Sequence, residues 1–223
     1  MTNLNGIIRR TKVLTLFLLL GFMLGSHSAM ASAKQTLLIV GDSLGAGYGV
    51  PQEKAWATLL NGRFQQQALP YRVVNASISG DTTAGGLSRL NALLKRQQPT
   101  WVMIELGGND GLRGMSLKSM QHNLETMVDQ VVASGASPIL VGIKIPPNYG
   151  KKYTQRFEQV FVTVAQQKQV PFLPFLLEGV AGWDQYMQDD RIHPNEKAQP
   201  IIEELVWGFL EPILTQHEQA PEQ

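Results

Sequence analysis

Ser43 stands in the run Gly41-Asp42-Ser43-Leu44-Gly45, and near the other end of the chain His193 closes the run Asp190-Arg191-Ile192-His193. A serine hydroxyl is a weak nucleophile until a base takes its proton, and an imidazole, which titrates near about 6.5 when free, can do so around neutral pH. That imidazole needs its second nitrogen held by an acceptor, and Asp190, three residues earlier on a tight turn, can reach it. Acyl transfer also requires donors aimed at the developing negative oxygen. The backbone N–H groups of Ser43 and Gly80 and the side-chain amide of Asn109 are candidates, with Gly80 offering no side chain to obstruct close approach. Each residue has a plainer reading: Ser43 as a helix cap, Gly80, Asn109 and Asp110 as turn formers, Asp190 and His193 as the start of a helix. Their joint occurrence, in order, just after apolar runs or in loops, favours nucleophilic attack on an acyl group.

The elements that must position these groups follow from periodicity. Aliphatic runs at 36–40, 72–74, 101–106 and 138–143, with a weaker one at 170–173, have the length and continuity of strands buried on both faces. Between them, residues 55–67, 82–96, 117–133, 153–167 and 196–214 carry helical spacing. Regular alternation of strand and helix predicts a parallel sheet with helices on both sides, in which ligands bind beyond the carboxyl ends of the strands. The candidate residues collect along that edge.

Composition narrows the function. With 43% hydrophobic residues in 223, the chain can bury one sizeable core. A formal net charge of +1 and no long basic block give no case for nucleic acid. There is no cysteine, which removes disulfides, thiolate metal sites and an acylated lipoprotein anchor. Residues 1–33 have the form of an export signal: Arg9, Arg10 and Lys12, an apolar stretch at 13–24, then small residues, with cleavage expected after Ala33 or, alternatively, Ala31. Twelve apolar residues span only about 18 Å, short of a roughly 30 Å hydrocarbon layer, so no permanent membrane anchor is expected. Residues 34–223 are expected to form one domain. The pairs Lys151-Lys152 and Glu203-Glu204 read as solvated faces. Asp189-Asp190 lacks the further carboxylates a cation site wants.

Gly41-x-Ser43-x-Gly45 also fits the nucleophile elbow of α/β-hydrolases, but there several strands precede the serine, whereas here about ten residues beyond the signal do. The "GDSL" at 41–44, the glycine in "SISGDTT" at 77–83, "GGND" at 107–110 and "DRIH" at 190–193 resemble, in order and spacing, the four blocks of the SGNH (GDSL) hydrolases. "IELGGNDGLRG", "IPPNYGKKY" and "MQDDRIHPNEKAQP" are similar to its periplasmic thioesterase and lysophospholipase branch. The resemblance implies a flavodoxin-like α/β/α sandwich with five parallel strands. It implies a hydrolase of acyl esters, thioesters or lysophospholipids that uses no cofactor or metal, and a monomer is expected. By motif position, Ser43 is nucleophile, His193 base and Asp190 its partner, the D-x-x-H spacing selecting Asp190 over Asp189. Ser43, Gly80 and Asn109 are the implied oxyanion donors. The family places an adjustable loop over the acyl chain at residues 111–115, and Leu112, Ile145, Pro146 and Tyr149 are expected along the chain's route. A carbohydrate O-acetyl esterase of the same fold, or a non-catalytic lipid- or flavin-binding module, are the alternatives.

Overall fold

The computed structural model describes residues 34–219; the export signal expected at 1–33 lies outside them. Strand β1 (Gln35–Gly41) is followed by a single helical turn, α1 (Ser43–Ala46), and by α2 (Trp56–Gln66). Then come β2 (Tyr71–Asn75), α3 (Thr83–Gln97), β3 (Trp101–Glu105), the short α4 (Gly108–Leu112), α5 (Leu117–Ala133), β4 (Ser137–Val141), α6 (Lys151–Lys168), β5 (Phe172–Leu173) and α7 (Gln199–Gln219). All five strands pair in parallel in the order β2-β1-β3-β4-β5. The chain first moves outward from β1 to β2 and then crosses to β3, so the order reverses at β1. The connections leaving β1 and β3 diverge there and open a crevice at their carboxyl ends.

Burial accounts for the aliphatic runs. Side chains alternate across a strand, so Leu37 and Ile39 pack on one face with Trp56, Leu60, Phe64 and Leu210, while Leu38 and Val40 pack on the other with Leu90, Leu124, Phe157 and Phe161. A strand covered on both sides needs an apolar residue at every position, and each such side chain contributes about 1.5–3 kcal/mol when fully buried.

Burial on both faces fails for β2, where Arg72 is exposed and Val73 and Val74 only half-buried. As an edge strand it has β1 as its one neighbour. Glu203 also departs from the solvated face expected of it. It is buried, and its two carboxylate oxygens accept from Arg63 Nε at 2.7 Å and Nη2 at 2.8 Å, a forked pair that fastens α7 to α2, with Glu204 also bonded to Arg63.

Candidate active site

The turn that carries Ser43 forms where β1 runs into α1. Asp42, not Ser43, is the cap: its Oδ1 accepts the Leu44 N–H at 3.0 Å. Beneath the turn lies Glu105, the last residue of β3, wholly enclosed. Its Oε2 accepts the backbone N–H of Asp42 at 3.2 Å and of Gly45 at 3.0 Å, bracketing Ser43. This explains the glycines of the motif. A Cβ on Gly41 would lie 2.3 Å from Glu105 Oε2, and one on Gly45 would lie 2.4 Å from Ser77 Oγ. Both glycines are there to admit neighbouring oxygens, and neither adopts a positive φ.

The imidazole of His193 is delivered by the loop before α7. Asp190 Oδ1 accepts the N–H groups of Ile192 and His193 at 2.9 and 3.0 Å, closing a tight turn, while its Oδ2 lies 2.6 Å from His193 Nδ1. His193 Nε2 then stands 2.9 Å from Ser43 Oγ. Gln188 clamps this loop to the nucleophile side: its amide donates to the carbonyls of Tyr48 at 2.7 Å and Pro194 at 3.0 Å. The Tyr48 ring packs on the imidazole at 4.6 Å between centroids. Asp189 takes no part in the chain of contacts.

Asn109 sits in the first turn of α4. Its amide donates to Asp42 Oδ2 at 3.2 Å, and its Oδ1 accepts from Arg113 Nη2 at 3.2 Å, so the plane of the amide is fixed from both ends and its second N–H is left for a ligand. Arg113 also donates to the Gly80 carbonyl at 3.0 Å. Gly80 has φ +82°, a conformation most side chains disfavour. Asp110 is a structural residue: its carboxylate accepts the N–H and hydroxyl of Thr83 at 2.9 and 2.6 Å, at the start of α3.

Two acids beneath the serine and one beside the imidazole are tuned in opposite directions. Burial pushes Asp42 up to about 6, against the hydrogen bonds from Leu44 and Asn109 that favour its charged form. Burial, and then the neighbouring Asp42, push Glu105 well above the usual carboxylate range. At Asp190 partial burial also pushes upward, but hydrogen bonds from the His193 ring and from the backbone of His193 and Ile192 outweigh it and hold the carboxylate below its usual value.

Ser43 and His193 open onto a cavity of about 600 Å³ whose apolar wall includes Leu112, Ile145, Pro146, Phe175, Leu177 and Ile192. Three of the four residues expected along an acyl chain's route therefore line it. Tyr149 does not. Its hydroxyl donates to the Leu112 carbonyl at 3.0 Å and its ring stacks on Tyr153, so it braces the end of α4 from outside. Part of the expected loop at 111–115 is also helical, because Gly111 and Leu112 complete α4.

This geometry has relatives. A model of the GDSL-like lipase/acylhydrolase family matches residues 39–200. The chain belongs to that family. It is 51% identical to the esterase TesA of Pseudomonas aeruginosa over 183 residues, covering 82% of this chain and 91% of that protein. It is 44% identical to the thioesterase 1/protease 1/lysophospholipase L1 of Escherichia coli over 214 residues, covering 96% and 98% of the two chains. The crystal structure of a psychrotrophic esterase, EstA from Pseudoalteromonas, inhibited by monoethylphosphonate, superposes with a TM-score of 0.79 at 41% identity, covering 81% of this chain and 99% of that one. The flavodoxin-like sandwich expected from the sequence is the fold of the family.

Glu105, Gln188, Tyr48 and the cap role of Asp42 escaped the sequence reading. For Glu105 a signal existed: a single acid inside the otherwise apolar run Trp101-Val102-Met103-Ile104-Glu105-Leu106. A charge in a buried strand needs a local partner, and the two glycines flanking Ser43 point to it.

Proposed function

We propose that this chain is an exported serine hydrolase that cleaves acyl esters and thioesters, lysophospholipids among them, through an acyl-enzyme on Ser43. His193 Nε2 takes the Ser43 proton as Oγ attacks the acyl carbon, and Asp190 holds Nδ1–H and stabilises the imidazolium. The carbonyl oxygen, now negative, is met by the N–H groups of Ser43 and Gly80 and by the free amide N–H of Asn109, which is already oriented by Asp42 and Arg113. His193 then gives its proton to the leaving alkoxide or thiolate, whose bond to the acyl carbon breaks. A water activated by the same imidazole hydrolyses the acyl-serine and restores the hydroxyl.

The observation that carries this reading is the unbroken line Asp190–His193–Ser43, with contacts of 2.6 and 2.9 Å, at the mouth of an apolar cavity. The size and apolar lining of the cavity favour medium and long acyl chains over acetyl groups. Ser43→Ala is expected to lower turnover of p-nitrophenyl acyl esters and acyl-CoA by at least about 10⁴-fold with unchanged circular dichroism. Retained turnover overturns the assignment, and activity confined to acetyl esters points to the O-acetyl esterase instead. Residues 1–33 are proposed as a cleaved export signal and the periplasm as the destination, with residues 34–223 forming the mature enzyme. N-terminal sequencing of exported protein checks this, the expected first residue being Lys34, or Ser32 if cleavage follows Ala31.

A further inference from the structure

Seven large apolar side chains are exposed among the described residues. Six of them, Tyr48, Ile78, Met115, Tyr149, Trp183 and Ile192, lie in the segments that leave the carboxyl ends of the strands, while Val132 alone lies elsewhere, near the end of α5. Five of the six are connected to residues of the cavity, while Met115 borders a separate concavity with Tyr153 and Arg156. The Tyr48 ring rests on His193, the Ile78 N–H donates to the Gly41 carbonyl at 3.0 Å, and Tyr149 hydrogen-bonds Leu112. Ile192 lines the cavity, as does Gly182 beside Trp183. Single exposed apolar residues are ordinary on a protein surface, but six of seven gathered along one edge of the sheet mark a surface that meets something apolar.

The charges on this rim indicate what that is. Arg113, Lys144, Lys151, Lys152 and Arg156 border it, and none makes an ion pair among the described residues. Lys151, Lys152 and Arg156 share a concavity with Tyr149, and the Lys144 ammonium lies 4.7 Å over the Phe175 ring in the cavity wall. Acids also lie on this side, among them Glu53, Glu178 and Asp189, Asp81 paired with Arg89, Asp184 facing Arg191 at 3.9 Å, Glu158 in the cavity wall and Asp190 engaged by His193, but the unpaired cations cluster around Tyr149. Apolar and aromatic groups interleaved with unpaired cations match a lipid boundary, where side chains enter the acyl region and ammonium or guanidinium groups meet phosphates. A second copy of the chain fits less well, since like charges would face each other across the contact. No described helix is long and apolar enough to cross a membrane, so the contact is with the surface.

We propose that this rim docks the protein on the surface of an anionic phospholipid assembly. Ile78 and Trp183 enter the acyl boundary and Lys151 and Lys152 meet headgroup phosphates, so that the cavity opens toward the lipid. An amphiphilic substrate then reaches Ser43 without its chain crossing water. Only this last consequence rests on the hydrolase reading; the docking does not.

The protein carries its own reporter, because Trp56, Trp101 and Trp207 are buried and Trp183 is 60% exposed. Vesicles of phosphatidylcholine mixed with phosphatidylglycerol are expected to shift the Trp183 emission to the blue, brominated acyl chains to quench it, and added salt to weaken both effects; phosphatidylcholine alone should act more weakly. In co-sedimentation, the Ile78→Ser/Trp183→Ser protein and the Lys151→Glu/Lys152→Glu protein should each bind the mixed vesicles at least about tenfold more weakly. Val132→Ser should bind like the parent. Turnover of a dissolved short-chain p-nitrophenyl ester should be unchanged in all three variants, which separates docking from catalysis. If the parent protein lacked that turnover, the hydrolase reading would fail while the vesicle result stood. An unshifted Trp183 emission with anionic vesicles, equal binding by parent and rim variants, or self-association abolished by the Ile78→Ser/Trp183→Ser pair would overturn the proposal.

Discussion

The two halves of the site are built on opposite principles. Ser43 is held from below by the protein interior: a short turn laid over an enclosed carboxyl, with two glycines thinned to let that carboxyl in. His193 is held from the surface, by a turn whose order comes from three hydrogen bonds to one half-exposed aspartate and from the Gln188 clamp. The acids follow suit, protonation being favoured under the serine and ionisation beside the imidazole. Buried acids near a nucleophile therefore need not act as charges. Here Glu105 serves as an acceptor that shapes a backbone, while the carboxylate held ionised, Asp190, sits where water still helps to solvate it.

Replacing one acid in each half by its amide breaks that comparison most sharply. Asp190→Asn should lower kcat on the order of 10³ to 10⁴-fold, because the amide can neither hold the required tautomer nor stabilise the imidazolium. Glu105→Gln should leave kcat within about twofold, since a neutral side chain of the same shape still accepts from Asp42 and Gly45. Equal losses would show that Glu105 works as an anion.

Asn109→Ala should cost about 10² to 10³ in kcat with little change in KM, since its free N–H serves the transition state more than bound substrate. Steady-state kinetics on one p-nitrophenyl ester reads both parameters. Stability should carry the imprint of Asp42. Its folded pKa of about 6 lies above its ordinary 3.8, so between these values the native state binds more protons than the unfolded chain. The associated stabilisation is fully present below about pH 4 and is lost as pH rises through 6, about 3 kcal/mol in all. The stability at pH 4 minus that at pH 7, read from urea melts, should be lower in Asp42→Asn than in the parent, and an unchanged value would refute the raised pKa. Gln188→Ala should have the smallest effect, about 1 kcal/mol of stability, together with a few-fold loss in kcat as His193 loses its tether to the Tyr48 carbonyl.

The sequence revealed the fold where burial writes a local signature. β1 and β3, covered on both faces, stand out as aliphatic runs, and α5 occupies the very residues its spacing indicated. β2 was legible as a strand but not as an edge, because edge position depends on the order of strands and on nothing within five residues. Ser43, Asp190, His193 and Asn109 were legible because chemistry restricts their types and their blocks keep family spacing. The support around them was not. Glu105 meets the nucleophile turn through a contact spanning 60 residues and more, and Gln188 reaches Tyr48 across 140. Tyr149 was placed by motif beside the acyl route, yet the direction of its side chain follows from a carbonyl on α4 that spacing does not locate.

Ser43 and His193 meet across 150 positions of chain. During synthesis Ser43 emerges just behind the first strand, while His193 waits on the loop before the last helix. A partly made chain therefore carries a finished-looking nucleophile with nothing to take its proton. On the proposed mechanism, hydrolysis therefore begins only once α7 has packed down and His193 has met Ser43.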